Sequence, residues 1–216
     1  MESDDYREYG ENAGEILRTH EQVLESKDKK YLFAVKQRAE TLCAIEAATG
    51  LDFAVANDTD PHVAAFVTTA DSKPHIVEHV LGDYDLALYA ARHEKEHIHN
   101  HIYHLDLEKN LELRQFETLR EFMKDFGVDI GEVDLMEGFN DLITATKYGA
   151  NDNSGYKDEE VPAAKKLDQL CLKLTGYSLM WTFDGGNKQL FYRRLALLCT
   201  MIAVNSAAKN VLTMAA

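Results

Sequence analysis

The run Arg92-His93-Glu94-Lys95-Glu96-His97-Ile98-His99-Asn100-His101 gathers side chains that can do chemistry together. His93 and His97 are four residues apart, so on an α-helix they stand one turn above the other on one face. Two imidazoles so placed can share one tetrahedral Zn²⁺ without any loop rearrangement. Glu94 is next in sequence, about 100° round such a helix, from where its carboxylate can reach a water on that ion. A metal that acidifies water, together with a base to take the proton, is the requirement for amide hydrolysis. Two protein ligands hold a metal weakly, so the pattern needs a third from elsewhere in the chain.

Glu137, heading Glu137-Gly138-Phe139-Asn140-Asp141, is the best candidate for that third ligand. On a helix Leu135, Phe139, Leu142, Ile143 and Thr146 face one way, while Glu137 and Asp141 share the other face. Asp141 is then placed to accept the N–H of a ligating histidine and fix its tautomer. Glu121 and Asp125 have the same spacing, but Glu121 sits among Glu117, Arg120 and Lys124, which reads as a solvated face with i,i+4 pairs. Gly138 also favours Glu137, because it lets another backbone approach closely. His101 stays in phase with His97 and is the alternative ligand beside Glu121. His99 and His104 read as surface or groove histidines, and His62, His75 and His79 as structural ones. A di-metal helical protein built on Glu94-x-x-His97 would want a second such motif on a partner helix, and Glu96-x-x-His99 merely overlaps the first.

The elements that must position these residues follow from periodicity and punctuation. Two helices are expected in the first fifty residues, the first marked by Ile16, Leu17, Val23 and Leu24. The second is marked by Tyr31, Leu32, Val35, Ala39, Leu42, Cys43 and Ile45 and stops at Gly50. Asp52–Ala56, Val63–Thr69 and His75–Val80 read as three strands. Gly82–Asp85 offers an N-cap for a helix over about Leu86–His104, and a second helix covers about Leu105–Phe126, with Phe116, Leu119, Met123 and Phe126 as its apolar stripe. A third runs from near Asp129, which has capping-box spacing with Glu132, to about Tyr148. Pro162 suits the first turn of a helix that ends at Gly176. Leu179–Phe183 reads as a short extended piece before a turn, and an apolar helix fills the rest from about Gln189. Trp181, Phe183, Phe191 and Tyr192 read as packing aromatics. The fold class is α+β, one domain in two lobes, 1–104 with the sheet and the histidine helix and 105–216 helical.

Composition narrows the function classes. The chain has 216 residues, enough for one domain with a sizeable core, and a formal net charge of −14. So acidic a surface repels polyphosphate and argues against nucleic-acid or anionic-membrane partners. There is no apolar run of membrane-spanning length, and the acidic start is unlike a signal peptide. Cys43, Cys171 and Cys199 form neither a disulfide framework nor a CxxC site, and read as thiols of a reducing, cytoplasmic compartment.

His93-Glu94-x-x-His97 followed by Glu137-x-x-x-Asp141 resembles the gluzincins, zinc metallopeptidases whose H-E-x-x-H helix is joined by a glutamate ligand from a second helix. Glu137-Gly138, Tyr156, Val161, Leu167–Leu170, Thr175-Gly176 and Phe183-Asp184-Gly185 are similar to the downstream layout of small bacterial and phage-borne metallopeptidases. The resemblance implies a zincin-like fold, His93, His97 and Glu137 as zinc ligands, Glu94 as general base and Asp141 as a support to His93. It further implies Tyr156 as a stabiliser of the oxyanion. Lys95 and Glu96 depart from the family, which usually has uncharged residues between the histidines. Lys95 falls on the stripe of Leu88, Ala91, Ile98 and Ile102, so it must snorkel or find a partner.

The expectation is therefore a zinc-dependent peptidase acting on a peptide or protein, with an edge strand from Val63–Thr69 or His75–Val80 pairing an extended substrate. The alternative is a non-catalytic metal-binding or regulatory module on the same fold.

Overall fold

A computed structural model describes residues 29–57, 63–68, 73–149 and 155–214. It is mostly helical with one small mixed sheet, an α+β protein, and it divides into two compact units after Ile98. The helix expected around Ile16–Leu24 lies outside the described residues.

The first unit opens with α1 (Lys29–Thr49), whose buried Val35, Ala39, Leu42 and Ile45 recur at helical spacing. Gly50 ends it with φ +72°, a conformation that favours glycine. Three short strands follow, β1 (Ala54–Ala56), β2 (Ala65–Val67) and β3 (Pro74–Val77), in the order β1-β3-β2. β3 is central, parallel to β1 and antiparallel to β2. Of the two strand ranges expected to supply an edge, only that of β2 does so among the described residues. Phe66 on β2 and His75 on β3 are register partners with rings stacked at 4.7 Å, a cross-strand packing contact.

The third strand stops at Val77, short of Val80. Glu78–Gly82 forms a 3₁₀ turn, in which Val80 and Leu81 are both buried. Neighbouring residues on a strand point to opposite faces, so the turn is what allows this adjacent pair to enter one core. Asp83 then starts α2 (Tyr84–Asn100), its Oδ1 accepting the N–H groups of Asp85 and Leu86 at 3.1 Å each. Ala87, Ala90 and Ala91 of α2 pack into the core formed by α1 and the sheet.

In the second unit the single helix expected over Leu105–Phe126 is two, α3 (Leu107–Asn110) and α4 (Leu113–Lys124). Asp106 caps the first, and a Glu112–Gln115 capping box restarts the chain after extended Leu111. Phe116, Leu119 and Met123 are buried, but Phe126 lies past the helix end, exposed, with Lys166 Nζ 4.9 Å from its ring centroid.

The next helix, α5 (Leu135–Tyr148), begins later than expected. Asp129 makes no capping box with Glu132; Arg120 Nε and Nη2 donate to its two oxygens at 2.6 and 2.9 Å. Asp134 is the cap, accepting from Met136 and Glu137 N–H. On α5 it is Thr144 that is buried, while Thr146, expected on the apolar face, is exposed.

Helix α6 (Glu160–Thr175) carries Pro162 in its first turn and ends at Gly176 with φ +78°. It lies so close to α5 that a Cβ at Gly138 would stand 2.3 Å from the Glu160 carbonyl oxygen and 3.2 Å from Ala164 Cβ. Leu179–Phe183 is not extended: it belongs to α7 (Leu179–Asp184). Ser178 Oγ accepts Trp181 N–H at 3.2 Å, and Asp168 accepts both Ser178 Oγ–H and Met180 N–H at 2.8 Å. Leu179, Thr182 and Phe183 are buried at helical spacing, whereas Trp181 is 77% exposed and no packing aromatic.

The last helix, α8 (Lys188–Met214), sends Phe191, Leu195, Leu198, Cys199 and Ile202 into the core of this unit. There Phe139, Phe183 and Phe191 meet with ring centroids 5.3–5.9 Å apart. All three cysteines carry free thiols; Cys171 and Cys199 are buried, and burial pushes Cys199 up to about 12, while Cys43 is half-buried. Among the described residues no helix is long and apolar enough to cross a membrane.

Two outcomes test this packing. Gly138→Ala forces α5 and α6 apart and should cost about 1–3 kcal/mol in urea denaturation; an unchanged midpoint would mean the contact is not tight. Arg120 beside Asp129 holds its carboxyl well below the usual carboxylate range, so the pair stabilises the fold above the unfolded aspartate's pKa. That contribution disappears as pH falls through the folded value. Asn at position 129 (Asp129→Asn) should therefore lower the melting temperature at pH 7 and flatten its decline below about pH 4, read from melting curves across the acid range.

Candidate metal centre

His93, Glu94 and His97 sit together on α2, and the reason lies in that helix's surroundings. Small side chains at Ala87, Ala90 and Ala91 let its first turns press into the core. The same burial then continues through the turn that carries the three polar residues, exposed by 5%, 6% and 4%. Polar groups so far from water must find partners within the protein or on a ligand. One potential ligand atom from each of the three lies within 4.8 Å of those of the other two.

The two imidazoles meet through their Nε2 atoms, 3.1 Å apart, with ring planes inclined at 72°. Two nitrogens each about 2.0–2.1 Å from a single tetrahedral ion stand about 3.3 Å apart, within a few tenths of the separation found. The two imidazole nitrogens are donors that zinc accepts, and the Glu94 carboxylate lies beside them. The residues present thus fit a divalent metal. Without one, the same contact is a hydrogen bond in which one ring must donate and the other accept.

Lys95 finds its partner away from the histidines. Its Nζ donates to the Thr49 carbonyl oxygen at 2.7 Å, on the last residue of α1. A cation there meets a free carbonyl and the negative end of the helix dipole. A lysine between the two histidines is therefore compatible with their burial, because it clamps α2 to α1. Glu96 is buried as well, exposed by only 2%.

The remaining candidates are placed as follows. Glu137 is half-buried in the first turn of α5, and Asp141, one turn later, is buried. Tyr156 is half-buried in the turn before α6, its carbonyl accepting Val161 N–H at 2.9 Å. Glu121 is exposed and ion-paired to Lys124 at 3.1 Å, the solvated face expected of it. His101 does not continue the helix: α2 ends at Asn100, and His101 is exposed with φ +54°. It therefore leaves the helical phase that made it an alternative ligand. His99, His79 and His104 are exposed, the last 4.0 Å from Asp106. His62 lies outside the described residues.

Sequence reasoning passed over Asn100 and Asn140. Asn100 Nδ2 donates to Asn140 Oδ1 at 3.1 Å, and Asn100 Oδ1 accepts Ile102 N–H at 2.9 Å. An asparagine near a helix end is a stop signal, which could have shortened the expected helix.

No family model, curated protein or solved structure matches this chain. The chemistry of the site therefore rests on its residues and their geometry.

Lys95→Met keeps the apolar stem and removes the donor to Thr49. Thermal or urea unfolding should register a loss of about 1–2 kcal/mol, and full retention of stability would show that the clamp contributes nothing.

Proposed function

We propose that this chain is a zinc-dependent peptidase of minimal gluzincin type, with a reduced zincin-like fold. The observation that carries the reading is the buried pair of Nε2 atoms 3.1 Å apart with the Glu94 carboxylate beside them. His93 and His97 would hold zinc, with Glu137 as third ligand and Asp141 accepting the N–H of a ligating histidine. Bound there, zinc supplies Lewis-acid polarisation of a carbonyl and acidifies water.

The chain's own residues do the rest. Glu94 takes a proton from the attacking water and delivers it to the leaving amine nitrogen. Its burial keeps that proton from bulk solvent and strengthens its interactions. Tyr156 would donate a hydrogen bond to the oxyanion. β2, at the edge of the sheet, offers backbone donors and acceptors to an extended peptide or protein substrate. Free thiols suit a reducing, cytoplasmic setting.

A second reading, a metal-binding regulatory module without catalysis, draws on Glu96, a further acid buried on the same helix. Such a module would keep the ligands and cleave nothing.

Zinc content and peptide cleavage separate the two. Glu94→Gln should keep one zinc per chain and lose hydrolysis by about 10²-fold or more; loss of metal instead would make Glu94 a ligand. Glu137→Ala should strip the zinc, and stoichiometric retention would take the ligand role from Glu137. Metal-loaded protein that cleaves no peptide, with or without chelator, would leave the regulatory reading.

A further inference from the structure

The helix that bears the two histidines ends in an unusually well-held residue. Asn100 and Asn140 are exposed by 1% and 0%, and their side-chain amides are joined at 3.1 Å. The other end of the Asn100 amide accepts Ile102 N–H, fixing the chain as it turns left-handed through His101. Gly186 closes over the same residue so tightly that a Cβ there would stand 2.7 Å from the Asn100 carbonyl oxygen. Both asparagines lie in the second unit, although α2 begins in the first.

Burying two primary amides costs desolvation that a helix stop does not require, since a left-handed residue can end a helix with backbone bonds alone. What the amide pair adds is direction. It is a hydrogen bond of fixed geometry, where an apolar contact would let the helices slide. Its two ends also sit at telling positions. Asn100 follows His97 by three residues on α2, and Asn140 lies on α5 three residues after Glu137 and one before Asp141.

We propose that Asn100 and Asn140 are positioning residues of the metal centre, fixing the end of the helix that carries both histidines. The proposal rests on the zinc reading above, and neither asparagine touches the metal. Loss of the Asn140 acceptor should loosen the ligand set and weaken zinc binding by about 10–100-fold, as removal of a group that orients ligands does elsewhere.

The test measures zinc affinity by competition with a chromophoric chelator, together with thermal melting and the visible spectrum of the Co²⁺-loaded protein. Asn140→Leu should fold cooperatively, bind zinc about 10–100-fold more weakly and shift the Co²⁺ bands. Asn140→Asp, which keeps an acceptor for Asn100 Nδ2, should restore both readouts. Should the leucine variant not fold, Asn140→Ala withdraws the acceptor without apolar bulk and carries the same expectation. Wild-type zinc affinity in the acceptor-less variant, alongside loss of zinc from His93→Ala, overturns the positioning role and leaves the zinc reading standing. Absence of zinc binding by the wild-type chain, or its full retention by His93→Ala, removes the zinc reading and this inference with it.

Discussion

Burying His93, Glu94 and His97 on one turn of helix takes three polar groups out of water, at a cost of several kcal/mol unless they engage other polar groups or an ion. The helix makes that engagement geometrically available. A spacing of four brings the two rings together edge to face, and their Nε2 atoms approach to 3.1 Å. Desolvation then works in the site's favour, because charges and dipoles interact more strongly where water is excluded. The rest of the first unit can be understood as the means of holding that turn inside.

Three contacts restrain α2 along its length. Asp83 satisfies the first free N–H groups, so the helix starts in a defined register from the 3₁₀ turn behind it. Lys95 reaches across to the last carbonyl of α1, which turns a charged residue in an apolar stripe into a cross-link. At the far end the Asn100 amide closes the helix and commits the chain to its left-handed turn. Small residues on the core face do the complementary work, letting the helix sit deep where larger side chains would hold it off.

The second unit follows a different logic. Its helices are placed by one close backbone approach and one aromatic cluster. At Gly138 the missing side chain lets α6 come to a distance no other residue permits. Phe139, the next residue, faces Phe183 and Phe191 in the core. The turn that carries Glu137 and Asp141 is thus fixed by its neighbours on both sides, so their carboxylates start from a rigid backbone.

Much of this could be read from residue order. Helical spacing marks α1 and α2, glycines at 50, 127 and 176 mark ends with positive φ, and the histidine pair and its glutamate need only the local repeat of 3.6 residues. Gly138 as a site of close approach was also legible, since a glycine inside a helix costs stability without such a use. What escaped were decisions made between competing partners. Asp129 could cap a helix or pair with Arg120, and the bidentate ion pair won. Leu179–Phe183 has too few residues to show a period, and Ser178 with Asp168 settled it as a helix. His101 lost its place in the metal motif because the Asn100 amide, bonded to a residue forty positions on, ended the helix first. Local sequence determined which groups stand one helical turn apart, because that distance is set by backbone geometry alone. Only the tertiary structure decided where each helix stops and which polar groups are buried, because those depend on partners that sequence separation hides.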